Sequence, residues 1–568
     1  MSRVSPSPAL AGEGRGEGGR TFALGLDYGT ESARAVLVRV ETGEVVASAV
    51  HPYRNGVIDE RIPVKGGRTL GTDWALQNPD DYLSALTATI PAVLKKSHVS
   101  PDRVIGIGVD FTSCTILPAR SDGTPLCAIP KFRNRPHAWV KLWKHHSAQP
   151  EAARINKIAR ERGEPFLARY GGAISSEWFF PKVLEILNDD PAVYAAADKI
   201  IEAQDWLVWQ LTGRECRSAC GAGYKAMWSK SAGFPSTDFF RALHPKMKNI
   251  VAEKINADFH APGRRAGRLT SEWASRTGLN PGTPVGVAII DAHAAVLGCG
   301  VARPNEMVMC MGTSTCHLLL SSRGKNVRGV CGVVEDGILP GFFAYEAGQA
   351  AVGDSFAWFV RQLSGQNSKS GEIPRLYTRL EASAAALRPG ESGLVALDWW
   401  NGSRSVLMNA DLSGLLVGCT LDTSPPEIYR ALMESTAMGT LKIIQTFEQS
   451  NVRVRKLIAA GGLAERSSLL MQIYADVTGR EISVVQGLQI CAIGAAILGA
   501  SSAGERGGEN IQSIIDRMAC RSVKSYNPKM NHHRIYSRLY AEYIRLHDYF
   551  GRENLSLMKH LKSEKVKV

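Results

Sequence analysis

Two Gly-Thr corners, far apart in the chain, and one carboxylate between them are the residues best placed to do chemistry. The first corner lies in Leu24-Gly25-Leu26-Asp27-Tyr28-Gly29-Thr30-Glu31-Ser32, the second in Val308-Met309-Cys310-Met311-Gly312-Thr313-Ser314. In each, an apolar stretch runs into Gly-Thr and a second apolar stretch follows. Glycine at such a corner keeps side chains away from an approaching anion, and Thr and Ser hydroxyls add donors. Gly29, Thr30 and Ser32 on one side, with Gly312 and Thr313 on the other, are candidates to grip one polyphosphate from two directions.

Asp27 precedes the first corner. A carboxylate facing phosphates is repelled unless a cation stands between them, and Mg²⁺ keeps most of its waters. Asp27 is therefore a candidate to hold Mg²⁺ through water; the alternative is an Asp that bonds its own turn. Asp291 follows Ile289-Ile290 and precedes Ala292-His293. A carboxylate is costly to bury there. It either caps the next helix or accepts a hydroxyl proton during phosphoryl transfer. His293 reads as a packed residue behind it. Gly461-Gly462 leaves room for a flat base or ribose against the backbone. Lys225, among small and aromatic residues, and Glu346, in Tyr345-Glu346-Ala347-Gly348, are of a type that hydrogen-bonds a polyol. For Lys225 the plain alternative is an exposed surface lysine.

These residues need strands and helices to place them. The pattern predicts strands over Phe22–Leu26, Ala33–Val40 and Glu44–Val50, and a helix over Pro79–Leu94 opened by Asn78-Pro79. A buried strand over Val104–Val109 ends at Asp110. Helices are expected over Ala138–His146, Glu151–Arg162, Pro181–Leu187 and Ala203–Leu211. A strand over Val285–Ile290 would deliver Asp291. The second half repeats this grammar, with strands over Val308–Met311, Cys316–Leu320, Phe342–Tyr345, Leu457–Ala460 and Ile482–Val485. Helices follow over Ser467–Thr478, Ile490–Ala500 and Tyr536–Phe550, and 366–370 reads as a loop. Such alternation is α/β.

The chain's 568 residues exceed one ordinary domain, and 44% hydrophobic with 21% charged residues is an average globular composition. No apolar run is long enough to span a bilayer. Residues 1–20, rich in Gly, Ser and Pro, lack the apolar segment of a secretory signal and are expected to be disordered. The eleven cysteines include no Cys-x-x-Cys, which fits reduced thiols in the cytoplasm. Cys216 and Cys220 have no nearby partners that would complete a metal site. The net charge of +13 owes much to Lys559, Lys562, Lys565 and Lys567 near the end. No nucleic-acid motif accompanies them, so the segment reads as a solvated basic tail. A mildly positive field would also suit phosphorylated ligands.

With these residues in place, the chain resembles the FGGY carbohydrate kinases of the actin/hexokinase/Hsp70 superfamily over about residues 21–550. The corners Asp27-Tyr28-Gly29-Thr30 and Met311-Gly312-Thr313-Ser314 carry the general likeness, with Ala459-Ala460-Gly461-Gly462-Leu463-Ala464 as its adenosine motif. Longer strings favour the L-ribulose-phosphorylating branch. They are Asp73-Trp74-Ala75-Leu76-Gln77-Asn78-Pro79, Val109-Asp110-Phe111-Thr112-Ser113-Cys114-Thr115, Val140-Lys141-Leu142-Trp143-Lys144-His145-His146, Ser175-Ser176-Glu177-Trp178, and Glu346-Ala347-Gly348-Gln349 through Gly353-Asp354. Leu546-His547-Asp548-Tyr549-Phe550-Gly551 belongs with them.

The resemblance implies two ribonuclease-H-like lobes, residues 21–297 and 298–550, with an active-site cleft between them and a basic tail over 551–568. ATP would lie mainly on the second lobe near Gly312, Thr313, Gly353, Gly461 and Gly462, with Asp27 holding Mg²⁺. Asp291 would deprotonate the sugar, Lys225 and Glu346 would orient it, and Asp110, Ser113 and Cys114 would line its pocket. The implied reaction is ATP-dependent phosphorylation of L-ribulose to L-ribulose 5-phosphate in L-arabinose breakdown. Rivals are another ketopentose or a pentitol as acceptor (D-ribulose, L-xylulose, ribitol), or an actin- or chaperone-like ATPase with no sugar substrate. The expected setting is cytoplasmic, with neither nucleic acid nor membrane as partner and a homodimer as the candidate assembly. Two stretches depart from the family pattern: the first 20 residues, and Gln489-Ile490-Cys491-Ala492-Ile493.

Overall fold

The computed structural model describes residues 20–365, 371–487, 489–504 and 510–566. The loop expected at 366–370 and, Arg20 apart, the tail expected at 1–20 lie outside the described residues.

Two sheets form the frame. In the first, the strand order is Arg265–Arg268, Pro284–Gly286, Val104–Phe111, Phe22–Tyr28, Ser32–Arg39 and Val45–Pro52, with Ile289–Ile290 also beside Val104–Phe111. In the second the order is Gly332–Glu335, Phe343–Gln349, Thr315–Ser321, Glu306–Met311, Lys456–Ala460, Ile482–Val485 and Val523–Tyr526. Their centres match. Each has an antiparallel trio formed by its first three core strands, and the first of these pairs in parallel with the strand that follows the trio across a long connection. The duplicated grammar of the sequence is thus a duplicated sheet.

Local chemistry explains the well-read elements. Helix Pro79–Ser97 opens with Asn78 accepting from Asp80 N and Pro79 in the first turn, carries Asp80 and Asp81 there, and ends with Lys95 and Lys96. This is the charge order a helix dipole favours. Helix Pro425–Gln449 is closed at its start by a reciprocal Ser424–Glu427 capping box.

Three expectations change. Ala138–His146 is not a helix: Pro136–Ala138 is a 3₁₀ turn, and Val140–Lys141 pairs with Leu76–Gln77 and Ile116. Buried Lys141 meets Glu185 at 2.8 Å there, and this tertiary pairing outweighs local helical spacing. The strand before Asp291 is broken into Pro284–Gly286 and Ile289–Ile290, where the Ser218 hydroxyl takes the Ala288 carbonyl (2.6 Å) out of the ladder. The basic segment at the end is helical over Leu555–Val566, with Met558 buried and Lys562 Nζ donating to Ala410 O at 2.8 Å.

The lobes meet along small residues. Helix Ile490–Ala503, late in sequence, lies on the first sheet and crosses helix Asp291–Gly298. A Cβ added at Gly108 would stand 1.8 Å from Ala495 O, and one at Gly494 1.9 Å from Ala294 O. Backbone packs on backbone at both places. One apolar cluster runs across the junction, from Val36 and Ile289 through Ala496 and Ile497 to Val308 and Leu318.

Candidate active site

Carboxyl ends of parallel strands are where α/β folds bind ligands, and both half-sites lie there. In the first sheet Asp27 stands beside Asp110 in parallel register, and Ile289 and Ile290 pair with Asp110 and Phe111. Asp27, Asp110 and Asp291 therefore close three neighbouring strands. All three carboxyls are held above the usual carboxylate range, chiefly by burial. Asp291 is pushed up to about 7; after burial, its Ala292 N–H bond (2.7 Å) pulls it down, while Asp27 and Glu346 push it up. Asp110 is raised further by the charges of Asp27 and Asp291, and neither of its buried oxygens has a hydrogen-bond partner among the described residues. Asp27 has Arg34 at 3.4 Å. As carboxylates Asp27 and Asp110 repel, so one shared proton or a cation settles the pair. Among the described residues no group of three or more His, Cys, Asp or Glu is placed to ligate a metal directly, so a cation here would have to be met through its own waters, as Mg²⁺ commonly is.

Each corner is a tight hairpin. Gly29 N donates to Ser32 O (3.0 Å), and Gly312 N to Ser314 O (2.9 Å). The glycine N–H groups are thus spent inside the turns. Those of Thr30 and Thr313 have no backbone partner among the described residues, and Gly312 and Thr313 are exposed. Thr30 is fixed by Trp143, whose Nε1 donates to its hydroxyl (3.0 Å), and by Gln77, whose Nε2 donates to its carbonyl (2.6 Å). Ser32 opens the next strand, half-buried.

Gly353 and Gly461 back the second corner. Gly353 N donates to Gly312 O (3.1 Å), so Gly353 braces the turn through its own N–H. Gly461 has φ +101°, and a Cβ on it would fall 2.6 Å from Met311 O. Gly462 beside it is exposed and begins a short helix. The structure gathers Gly312, Thr313, Gly353, Gly461 and Gly462 at one end of the second sheet.

The expected sugar residues come together in part. Lys225 is buried, not a surface lysine: its Nζ donates to both Glu346 oxygens at 2.8 Å. The contact raises Lys225 and lowers Glu346 despite their burial, so both stay ionised. His293 Nε2 lies 3.4 Å from Glu346, as the packed residue behind the site, with its own pKa lowered by burial. Cys114, at φ 54°, is pinned by Lys182, which donates to Cys114 O (2.6 Å) and Leu142 O (2.8 Å); Ser113 is half-buried next to it. Burial pushes the Cys114 thiol up to about 12. Asp110 groups with Asp27 and Asp291 rather than with this pair.

Sequence reasoning passed over Arg34, Trp143 and Lys182, which the structure sets against Asp27, Thr30 and Cys114, and over Arg404, whose Nη2 lies 3.6 Å from Glu177 Oε1. Trp143 and Glu177 occur in the quoted strings; Arg404 is a lone cation in Asn401-Gly402-Ser403-Arg404-Ser405. That isolation was the signal available.

Comparison with known proteins bears on the family and the fold. Residues 22–298 match the N-terminal domain, and 307–503 the C-terminal domain, of the FGGY family of carbohydrate kinases. The chain is 52% identical over 549 residues to the ribulokinase of Anoxybacillus flavithermus, covering 96% of this chain and 97% of that protein. It is 46% identical over 550 residues to the ribulokinase of Mycolicibacterium smegmatis, covering 96% of each. Among solved structures, xylulose kinase from Rhodospirillum rubrum superposes with a TM-score of 0.76 at 23% identity, covering 93% of this chain and 99% of that one. Plasmodium falciparum glycerol kinase with ADP gives 0.72 at 15%, covering 93% and 98%. The last two speak for the two-lobed fold alone.

Proposed function

The chain belongs to the FGGY family of carbohydrate kinases, and we propose that it transfers the γ-phosphoryl group of ATP to the terminal hydroxyl of L-ribulose. The choice of sugar rests on its similarity along nearly the whole chain to proteins named ribulokinase. The chemistry rests on one observation: Asp291, a half-buried carboxylate pushed up to about 7, completes the strand-end cluster with Asp27 and Asp110, and the Lys225–Glu346 pair is among the charges acting on it. A base is best matched to its task when its pKa lies near working pH.

In this reading the cleft mainly aligns and neutralises, as phosphoryl transfer requires. Glu346 accepts and Lys225 donates to sugar hydroxyls, with Ser113 and the Cys114 loop closing the wall. Asp291 takes the hydroxyl proton at a carboxylate oxygen as the new O–P bond forms. Thr30 and Thr313 offer N–H groups from opposite lobes to the phosphates, and Gly461 and Gly462 leave a flat face for the nucleoside. A Mg²⁺ held by Asp27 through water, with Asp110 beside it, would offset charge on the phosphates. Closure of the lobes excludes water, the competing acceptor. We place the division between the lobes in residues 298–307, between the two matched domains. The cytoplasm is the compartment that suits an ATP-using chain with eleven free thiols. Among the described residues, no helix is long and apolar enough to cross a membrane.

The test is ADP formation by the purified protein with a panel of ketopentoses and pentitols. L-Ribulose should give the highest kcat/KM. ATP turnover indifferent to every sugar would overturn the reading.

A further inference from the structure

The first Gly-Thr corner and the loop that follows Asp110 close into a ring of hydrogen bonds. Thr112 N donates to the carbonyl of Tyr28, the residue before Gly29-Thr30 (3.0 Å). Trp143 Nε1 donates to the Thr30 hydroxyl (3.0 Å). Lys182 joins the two open ends. Its Nζ donates to Cys114 O (2.6 Å), two residues past Thr112, and to Leu142 O (2.8 Å), one residue before Trp143. Asp27 and Asp110 stand side by side in parallel register. The corner leaves one of them and the loop leaves the other, so the ring fixes how these segments stand above the acidic strand ends.

The loop depends on that tie. Its hydroxyls give it a shape of its own: those of Thr112 and Thr115 meet at 2.9 Å, and Thr115 Oγ1 donates to Ser113 O (3.2 Å). Its far end is held separately, where Ile116 pairs with Lys141 and Glu202. Between these, Cys114 sits at φ 54°, and a non-glycine residue keeps such a conformation only where its surroundings hold it. Lys182 Nζ is the one donor its carbonyl meets among the described residues. Lys182 is itself firmly placed. It lies on helix Phe179–Asp189, three residues before Glu185 and so on the same face. Glu185 takes Lys141 at 2.8 Å and His145 at 3.0 Å, on either side of Leu142. The helix thus grips the 141–145 segment by its carboxylate and the loop by its ammonium. Lys182 is fully buried, no ion pair among the described residues includes it, and burial lowers its pKa to about 8. A cation buried on carbonyls is costly, and an apolar side chain of the same length would meet the needs of packing. What only the ammonium supplies is the pair of bonds that closes the ring.

Resting on the sugar-kinase reading above, we propose that Lys182 is a positioning residue for phosphoryl transfer: by tying the Cys114 loop to the segment that steadies Thr30, it keeps the sugar hydroxyl in line with the γ-phosphate and keeps water out of that place. Reacting groups misplaced by about 1 Å can lose about 10²-fold in rate. Water is the acceptor that gains when the site is loosened, and the γ-phosphate then leaves as inorganic phosphate.

The experiment compares wild type with Lys182→Met, Lys182→Gln and, as a matched control, Lys254→Met. It measures steady-state kinetics and the ratio of ADP to phosphorylated sugar formed. Lys254 is another buried lysine of the first lobe that donates to a backbone carbonyl, Ala197 O (2.5 Å), outside the ring. Lys182→Met, which fills the space without donors, should lower kcat for L-ribulose by about 10–100-fold. Its KM for ATP should stay within about threefold of wild type. Its ratio of ADP to phosphorylated sugar should rise to about twice the wild-type value or more, as water takes phosphoryl groups. Lys182→Gln, able to keep one of the two bonds, should shift the same quantities less. Lys254→Met should keep the wild-type ratio, with kcat within about threefold. A wild-type ratio in Lys182→Met would overturn the proposal whatever its kcat, as would equal uncoupling in Lys254→Met, which is the mark of a general loss of stability. If Lys182→Met does not fold, Lys182→Gln decides by the same ratio. A wild type active on L-ribulose beside an equally coupled Lys182→Met sinks this proposal alone; a wild type inert with every sugar sinks the kinase reading first.

Discussion

The two halves of the cleft share a strand pattern and differ in what stands at its carboxyl ends. The first sheet presents Asp27, Asp110 and Asp291 on neighbouring strands. The second presents Gly312, Gly353 and Gly461, packed so closely that a Cβ at Gly353 or Gly461 would lie 2.6 Å from a backbone oxygen of the corner. The same duplicated scaffold therefore carries acid on one side and bare backbone on the other. Acid groups whose pKa burial raises can take a proton or share a cation. Backbone with no side chains can only hold and shape. The comparison teaches that duplication supplied the geometry of the clamp, while divergence at a few strand-end residues divided its labour.

That division can be broken from either side. Replacing Asp291 by Asn should lower kcat by about 10²–10⁴-fold, the usual contribution of a general base, in steady-state assays with saturating ATP and sugar. Wild-type kcat/KM should fall about tenfold per pH unit below about 7 and level off above it, because Asp291 works as the carboxylate and is pushed up to about 7. Asp291→Asn should flatten that limb of the profile. On the other side, Gly461→Ala must place a side chain at φ +101°, which strains the backbone, and should raise KM for ATP by roughly tenfold or more. The smallest effect is on stability. Asp291 keeps in the folded state a proton that the unfolded chain releases near pH 4, so it lowers stability as pH rises from about 4 to about 7 and leaves it low above that. Thermal unfolding at pH 8 should therefore show Asp291→Asn more stable than wild type by a few degrees at most, although nearly inactive.

Much of the frame could be read from sequence because its signals are local. Apolar strands ending in Asp27 and Gly461, the Asn78-Pro79 cap and the small-residue helix at 490–503 all carry their cause within a few residues. What was misread depends on distant partners. Val140–Lys141 is a strand because Leu76–Gln77 and Glu185 wait for it. Lys225, read as a site residue with an exposed lysine as its alternative, could not be shown buried from its neighbours alone, because its burial depends on Glu346 of the other lobe. Arg404 pairs with Glu177 of the other matched domain at 3.6 Å, its chain lying over the space left by Gly348. The lysine-rich end carries its lysines exposed at Lys559 and Lys562, and what charge alone does not show is the helix, anchored by buried Met558. That the corner glycines' own N–H groups close the hairpins onto Ser32 and Ser314 is a matter of turn geometry, which residue types alone do not show.

The unequal halves are tested most directly by crossing one variant from each, Asp291→Asn and Gly461→Ala, and measuring ATP affinity by calorimetry alongside kcat at saturating ATP. The account predicts that Asp291→Asn binds ATP within about threefold of wild type yet barely turns over. It predicts that Gly461→Ala loses ATP affinity by about tenfold yet recovers most of its kcat once ATP saturates. Loss of ATP affinity in Asp291→Asn, or a kcat in Gly461→Ala that no ATP concentration restores, would contradict it.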